Sequence, residues 1–204
     1  MPTPFSLNQL LALQKPLVLA SRSPRRQALL THIGLTFDTV VPDVDEDAVP
    51  TDLPHGEYVE TLALMKARRG AHLVGANAIV IGSDTTVVLD GNVLNKPLNP
   101  ADAVRMLRLL SGRTHTVYTG LALVDADTDM SMAVHSSTRV TFRDLDDAEI
   151  AAYVESGSPL DKAGAYGIQD DFGAVFVRHV EGCYYTIVGL PLELLYTTLK
   201  HFTQ

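Results

Sequence analysis

Apolar residues along the chain occur in two patterns, which together predict a mixture of strands and helices. Short runs rich in β-branched residues are typical of buried strands, and apolar positions three or four apart are typical of helices. The runs predict strands over residues 17–20, 37–44, 78–89, 116–124, 133–142 and 174–180. The helical spacing predicts helices at 24–33, 59–74, 100–111, 147–156 and 191–202.

Capping and turn residues set the ends of several of these elements. Ser23 followed by Pro24 is a typical helix start, and Asn99 before Pro100 is another. Asp146 with Glu149 three residues later resembles a capping box. Asp90-Gly91 is a strong signal for a tight hairpin turn. Helices and strands do not alternate strictly, which predicts an α/β protein with a mixed sheet and helices packed around it.

Length and composition are those of an ordinary globular protein. The chain has 204 residues, of which 46% are hydrophobic and 20% are charged, so a disordered chain is excluded. This length predicts one domain or one two-lobed domain, since it falls within the size that one core can reach, and we place that single domain over residues 17–204. Residues 1–16, punctuated by Pro2, Pro4 and Pro16, are predicted to form a loosely attached N-terminal arm.

Charge and cysteine content narrow the class of function and the compartment. The formal net charge of −8 argues against binding nucleic acid, which depends on basic residues. No apolar run approaches the roughly 20 residues that a membrane span needs, and the N-terminus lacks the features of a signal peptide. A single cysteine, Cys183, excludes an intramolecular disulfide and predicts a cytoplasmic protein.

A basic cluster at the start of the first predicted helix is the most informative feature. Arg25 and Arg26 lie in its first turn, where the partial positive charge of the helix end disfavours cations. An anion would compensate, and backbone N–H groups, two guanidinium groups and the hydroxyls of Ser21 and Ser23 together could bind phosphates. Alternatively, both arginines pair with acidic residues elsewhere in this acidic chain.

Asp84 is the second unusual residue, because it interrupts an apolar strand. A buried carboxylate is costly unless it is paired or binds a metal. Gly82 and the neighbouring hydroxyl residues favour a ligand that approaches the backbone there. Alternatively, an aspartate at a strand end simply bonds to a turn.

Single lysines and an acidic segment give weaker signals. Lys66 lies on the apolar face of its helix, where a solvated lysine would be out of place, and Lys96 precedes Pro97 in a short loop after the hairpin. Alternatively, these lysines and Lys162 are solvated surface charges, as single lysines commonly are. Glu46 lies in the acidic run 43–47, which is either a solvated loop or a set of oxygen ligands for a divalent cation.

Ordered motifs from residue 17 to about 199 closely resemble those of the Maf family of nucleoside triphosphate pyrophosphatases, also called septum-formation-inhibitor proteins. The motifs are Leu19-Ala20-Ser21, Ser23-Pro24-Arg25-Arg26, Glu46, Lys66-Ala67, Gly82-Ser83-Asp84-Thr85, Lys96-Pro97, Leu110-Ser111-Gly112, the segment 161–169 and Val188-Gly189-Leu190-Pro191. Two residues depart from the family pattern: Ser83 stands where alanine is more frequent and Thr86 where an aliphatic residue is frequent. Neither departure removes a charged group.

The resemblance implies hydrolysis of a nucleoside triphosphate between its α and β phosphates. It implies an elongated α/β fold with a mixed, twisted sheet flanked by helices, and with two lobes and a cleft between them, similar to inosine triphosphate pyrophosphatases. It also implies Mg²⁺ or Mn²⁺ as a cofactor. The resemblance further implies that Asp84 is the proton acceptor and that Asp84 and Glu46 are metal ligands. The substrate-binding residues that it implies are Ser21, Arg26, Lys66 and Lys96.

Three positions distinguish branches of the family: Arg25, Thr85 and Gln169. Here they resemble the branch that acts on dTTP and UTP, which implies a house-cleaning role in the nucleotide pool, with normal or modified uridine nucleotides as substrates. Alternatives are a pyrophosphatase for 7-methyl-GTP or inosine-type nucleotides, and a nucleotide-sensing regulator of septation. The expected partner is the nucleotide, with no nucleic acid and no membrane, and a homodimer is one possible assembly.

Overall fold

The computed structural model describes residues 6–50, 52–169 and 171–204. The helices in this part of the chain are α1 Leu7–Leu10, α2 Pro24–His32, α3 His55–Val74, α4 Pro100–Leu110, α5 Asp147–Glu155, α6 Tyr184–Val188 and α7 Leu192–Phe202. The strands are β1 Leu17–Ala20, β2 Phe37–Val40, β3 Ile79–Leu89, β4 Asn92–Leu94, β5 Thr114–Asp125, β6 Ser131–Phe142 and β7 Val177–Glu181. Among the helices described, none is both long and apolar enough to cross a membrane.

The strands form one mixed sheet of seven strands. Their order is β2-β1-β3-β5-β6-β7, and β4 pairs with β3 outside this path. β1 is parallel to both β2 and β3, whereas the β3–β4 and β6–β7 pairs are antiparallel. The predicted α/β class with a mixed sheet flanked by helices is therefore confirmed.

The chain divides into two compact units. Unit 1 contains the described residues of Met1–Asp84, Thr119–Ser136 and Gly189–Gln204, and unit 2 contains Thr85–Tyr118 and the described residues of Ser137–Val188. Strands β3, β5 and β6 each contribute residues to both units. The division into an arm over residues 1–16 and a domain over 17–204 stays a prediction.

In unit 1, small residues let helix α3 pack very close to the sheet. A Cβ atom added to Gly82 would lie 2.1 Å from the carbonyl oxygen of Ala63, and one added to Gly120 would lie 2.1 Å from that of Val59. The buried core here is accordingly rich in alanine and valine, and Ala63 and Ala67 are fully buried. The close approach places the residues of α3 directly over β3.

The core of unit 2 is aromatic. The ring centroids of Phe142 and Tyr166 are 4.7 Å apart, and those of Tyr153 and Phe176 are 5.1 Å apart, both in edge-to-face geometry. His115 is 2% exposed and packs edge-on against Phe142, while its Nε2 lies 2.8 Å from the Tyr166 hydroxyl. Burial lowers the pKa of His115 to about 4, so this histidine is neutral in the folded protein at neutral pH.

Local signals predicted the elements well, with differences at several ends. The Asn99 and Asp146 caps are formed, and the Asp90-Gly91 turn has positive φ at both residues. The second strand ends at Val40 instead of residue 44. Helix α3 begins four residues before the predicted start, at His55, directly after Pro54.

Candidate active site

The N-terminus of α2 lies at the carboxyl end of the parallel strand β1, an edge at which α/β sheets commonly bind ligands. β1 ends at Ala20, which pairs in register with Gly82 of β3, so the residues after Ala20 are neighbours of the residues that follow Gly82 within β3. Ser23 caps the helix by accepting the backbone N–H of Arg26 at 3.5 Å, and Pro24 occupies its first turn. The sequence therefore builds a capped helix start three residues after the end of β1.

Arg26 is held on two sides within unit 1. Its Nε donates to the carbonyl oxygen of Gly189 at 2.8 Å, and its Nη1 lies 3.3 Å from the hydroxyl of the buried Ser21. Burial lowers the pKa of Arg26, and the negative charges of Asp84 and Glu46 oppose that effect. The guanidinium group is thus partly stripped of water, so an anion placed against it would not compete with a full hydration shell.

Lys66 links the two acidic residues predicted to act in catalysis. Its Nζ lies 2.5 Å from Asp84 Oδ1 and 2.8 Å from Glu46 Oε1. The side chains of Lys66 and Asp84 are each 12% exposed, whereas that of Glu46 is 50% exposed. Asp84 is therefore a buried carboxylate with a cationic partner, which removes most of the cost of placing it in an apolar strand.

The structure gives Gly82 a different role from the predicted one. Glycine there was expected to let a ligand approach the backbone, but helix α3 fills that space, since an added Cβ would also lie 2.7 Å from the amide nitrogen of Ala67. This contact brings Lys66, one residue before Ala67, to Asp84, two residues after Gly82. The lack of a side chain at Gly82 lets α3 approach β3 and so positions the ion pair between Lys66 and Asp84.

The donor set around Lys66 suits a hard divalent cation. Asp84 and Glu46 both direct a carboxylate oxygen to one point, and the Lys66 ammonium already occupies that point as a monovalent cation. Within the described residues, no cluster of three or more histidine, cysteine or acidic side chains is arranged to hold a metal. Mg²⁺ commonly binds through one or two carboxylates together with water and substrate phosphates, so two carboxylates fit it.

Of the remaining predicted site residues, Arg25 lies in the first turn of α2 in unit 1, whereas Thr85, Lys96 and Gln169 belong to unit 2. Thr85 is half-buried on β3, and Lys96 is exposed in the segment after β4. Gln169 is half-buried, and its amide nitrogen Nε2 is fully buried with no hydrogen-bond partner in the part of the chain that the structure describes. A buried donor without a partner is costly, and it indicates that something absent from the protein alone would satisfy it.

Two contacts at the site were not predicted from the sequence. From the sequence, Ser83 was only a neighbour of Asp84, and Gly189 was only part of a motif. In the structure, the carbonyl oxygen of Gly189 accepts hydrogen bonds from both Arg26 and Ser83. Lys162, which was a weak candidate, donates to the carbonyl oxygen of Ser158 at 2.5 Å and pairs with Asp161 at 2.8 Å. Both contacts are those of a residue that closes a turn.

Comparisons with known proteins give one family over nearly the whole chain. A family model described as Maf-like protein matches residues 16–202. A protein of Salinibacter ruber named dTTP/UTP pyrophosphatase is 50% identical over 194 residues, covering 95% of this chain and 94% of the relative. A Salmonella typhimurium protein of the same name is 50% identical over 186 residues, covering 91% and 92%.

A solved structure gives the same fold class. The HAM1 protein from Coxiella burnetii aligns with a TM-score of 0.53, covering 92% of this chain and 100% of that protein. Sequence identity is 18%, so the likeness concerns the fold alone.

Proposed function

Because this chain belongs to the Maf-like protein family, we propose that it hydrolyses dTTP and UTP to the nucleoside monophosphate and pyrophosphate. The observation that carries this proposal is the position of Lys66 between Asp84 and Glu46. One unit thereby holds both a carboxylate that can accept a proton and the cations that a triphosphate needs. The curated relatives bear the name of this activity, and the substrate pair is taken from that name.

Binding of the triphosphate rests on the cationic side of the site. Hydrolysis at the α phosphorus expels pyrophosphate, so catalysis requires charge neutralisation on that leaving group. Arg26, Lys66 and the N–H groups of α2 supply this charge in unit 1, and the Ser21 hydroxyl adds a hydrogen-bonding group. Lys96 is proposed as a further phosphate contact, because it is exposed and its ammonium group can follow a flexible polyphosphate.

Asp84 is proposed to orient and deprotonate the attacking water. Its carboxylate is ion-paired in the protein alone, so it takes this role once Lys66 turns towards the anionic substrate. Asp84 and Glu46 would then hold the divalent cation. When bound, that ion supplies Lewis-acid stabilisation of phosphate charge and lowers the pKa of a bound water.

Selection of the nucleobase is assigned to Gln169, with Arg25 and Thr85 as further specificity residues. The buried Nε2 of Gln169 lacks an acceptor among the described residues, and O4 of uracil or thymine is an acceptor. The amide oxygen of the same side chain can accept the N3–H of the ring. Cytosine carries an amino donor in place of O4 and would fit less well.

The proposed partner and compartment of the protein follow from this function. Its proposed partner is the nucleotide, and the cytoplasm, where nucleoside triphosphates and reduced thiols occur, is the proposed compartment. A homodimer and the absence of nucleic-acid binding stay predictions.

A panel of triphosphates tests the proposal. We expect pyrophosphate release with dTTP and UTP in the presence of Mg²⁺ or Mn²⁺, and much less with 7-methyl-GTP or ITP. Asp84→Asn should abolish release, whereas Asp125→Asn is a matched control, because Asp125 is equally buried and also pairs with a lysine, Lys15. Binding of triphosphates without any release would favour a nucleotide sensor, and preference for 7-methyl-GTP or ITP would assign another substrate class.

A further inference from the structure

Ser83 is buried in unit 1 and contacts two backbone carbonyls. Its side chain is fully buried, and its Oγ is 2.8 Å from the carbonyl oxygen of Gly120 and 3.0 Å from that of Gly189. A serine hydroxyl has one proton, so the two carbonyl oxygens share it. The hydroxyl therefore ties the segment that follows α6 to β3 and β5.

The carbonyl of Gly189 is also the acceptor for Arg26. It receives the Arg26 Nε–H at 2.8 Å in addition to the Ser83 hydroxyl, so both of its lone pairs have a donor. Gly189 has φ of +113°, a conformation that favours glycine, and this backbone geometry sets the direction of its carbonyl. The orientation of this one carbonyl thus depends on a donor from β3 and a donor from α2.

A guanidinium group is planar, so fixing its Nε fixes the direction of its remaining N–H groups. We propose that Ser83 is a positioning residue: by holding the Gly189 carbonyl, it sets the orientation in which Arg26 binds the triphosphate. This inference rests on the proposed function, because it assigns Arg26 to the substrate. Ser83 itself does not touch the substrate and acts through Arg26.

A double-mutant cycle with inorganic triphosphate as the probe tests the proposal. Calorimetric titration should show that Ser83→Ala weakens binding about three- to tenfold, the usual effect of one neutral hydrogen bond. In an Arg26→Ala background, Ser83→Ala should have no further effect, because the group that it positions is gone. In turnover of dTTP, Ser83→Ala should lower kcat/KM by a similar factor, because Arg26 both binds the triphosphate and neutralises charge on the leaving pyrophosphate.

Two further variants separate positioning from general stability. Ser83→Cys keeps a weaker donor and should give an intermediate affinity, and it also serves if the alanine variant does not fold. Thr198→Val is the control, since it removes another buried hydroxyl of unit 1, which donates to the Leu194 carbonyl oxygen at 2.6 Å. It should leave triphosphate affinity unchanged.

The inference is overturned if Ser83→Ala weakens binding equally in both backgrounds, or if neither the alanine nor the cysteine variant alters affinity. It is also overturned if the wild-type protein does not bind triphosphate. The proposed function fails separately. If the wild type shows the expected coupling but releases no pyrophosphate from dTTP or UTP, the positioning role stands and the enzymatic assignment does not.

Discussion

Replacing Lys66 by methionine should convert the site from one that excludes divalent cations into one that binds them without nucleotide. In the wild-type protein, the Lys66 ammonium lies between Asp84 and Glu46, at 2.5 and 2.8 Å. A metal and this ammonium cannot share the position, because both are cations and would repel each other at that distance. The Lys66→Met variant keeps the length and apolar stem of the side chain but removes the charge.

The size of the effect follows from the burial of the pair. Removing one partner of a buried ion pair costs about 3–5 kcal/mol, and the half-exposed contact to Glu46 adds no more than about 1 kcal/mol. We expect a loss near the lower limit, about 3 kcal/mol, since Lys66 and Asp84 keep 12% of their side-chain surface exposed. A cation that binds between the freed carboxylates at 100 times its Kd would return about 2.7 kcal/mol. The divalent metal should therefore restore most of the lost stability.

Thermal melts with and without Mn²⁺, in the absence of nucleotide, measure how much of the lost stability the metal restores. Electron paramagnetic resonance of free Mn²⁺ gives the affinity of each protein for the metal directly. Lys66→Met should melt well below the wild type and recover with Mn²⁺, whereas the wild type should respond little. Lys15→Met is the matched control, because Lys15 also lies between two carboxylates, Asp125 and Asp127, at 2.7 and 2.6 Å. Oxygens of those carboxylates already accept backbone N–H groups, so this variant should gain little affinity.

Equal Mn²⁺ affinity of the wild type and Lys66→Met would refute this reasoning, since it would mean that the ammonium does not occupy the metal position. A gain in Lys15→Met as large as that in Lys66→Met would also refute it, because any two adjacent carboxylates would then suffice.

Three further predictions concern unit 2. Between pH 6.5 and about 4, the unfolded chain binds a proton at residue 115 that the folded protein excludes. The stability that neutral His115 provides is thus present above pH 6.5 and is lost as the pH falls to about 4, an effect on the order of 3 kcal/mol. Denaturant titrations across this range should show that the free energy of unfolding falls more steeply for the wild type than for His115→Gln. Equal slopes for the two proteins would contradict this prediction. Thr86→Val should raise the melting temperature by an amount equivalent to about 1 kcal/mol, because the Thr86 hydroxyl is buried with no partner among the described residues; a lower melting temperature would mean that bound water satisfies it. Gln169→Glu should lower kcat/KM for dTTP and UTP about tenfold or more while CTP loses less; an equal loss for all three nucleotides would mean that Gln169 does not read the base.

The sequence predicted those features that depend on neighbouring residues. Ser23, Asn99 and Asp146 each accept a backbone N–H three residues later, so the relevant chemistry is visible within one helical turn. The Asp90-Gly91 hairpin is equally local. These signals placed the basic cluster at a helix N-terminus, and the apolar run around Asp84 placed that acid in a buried strand.

Contacts between distant segments could not be predicted in the same way. Arg26 and its acceptor Gly189 are 163 residues apart, and nothing in either segment specifies the other. The role of Gly82 depends on how closely α3 packs against β3, which is a property of the assembled core. The same packing decides that Lys66 meets Asp84, although the apolar face of α3 already indicated that Lys66 is not an ordinary solvated lysine.

Hydrolysis of dTTP in ¹⁸O-labelled water tests the central claim most directly. If Asp84 directs water to the α phosphorus, mass spectrometry should find one ¹⁸O atom in dTMP and none in the released pyrophosphate, and Asp84→Asn should yield neither product. Label in the pyrophosphate would place the attack on the β phosphorus, and formation of dTDP with labelled inorganic phosphate would place it on the γ phosphorus. Either result would contradict the account.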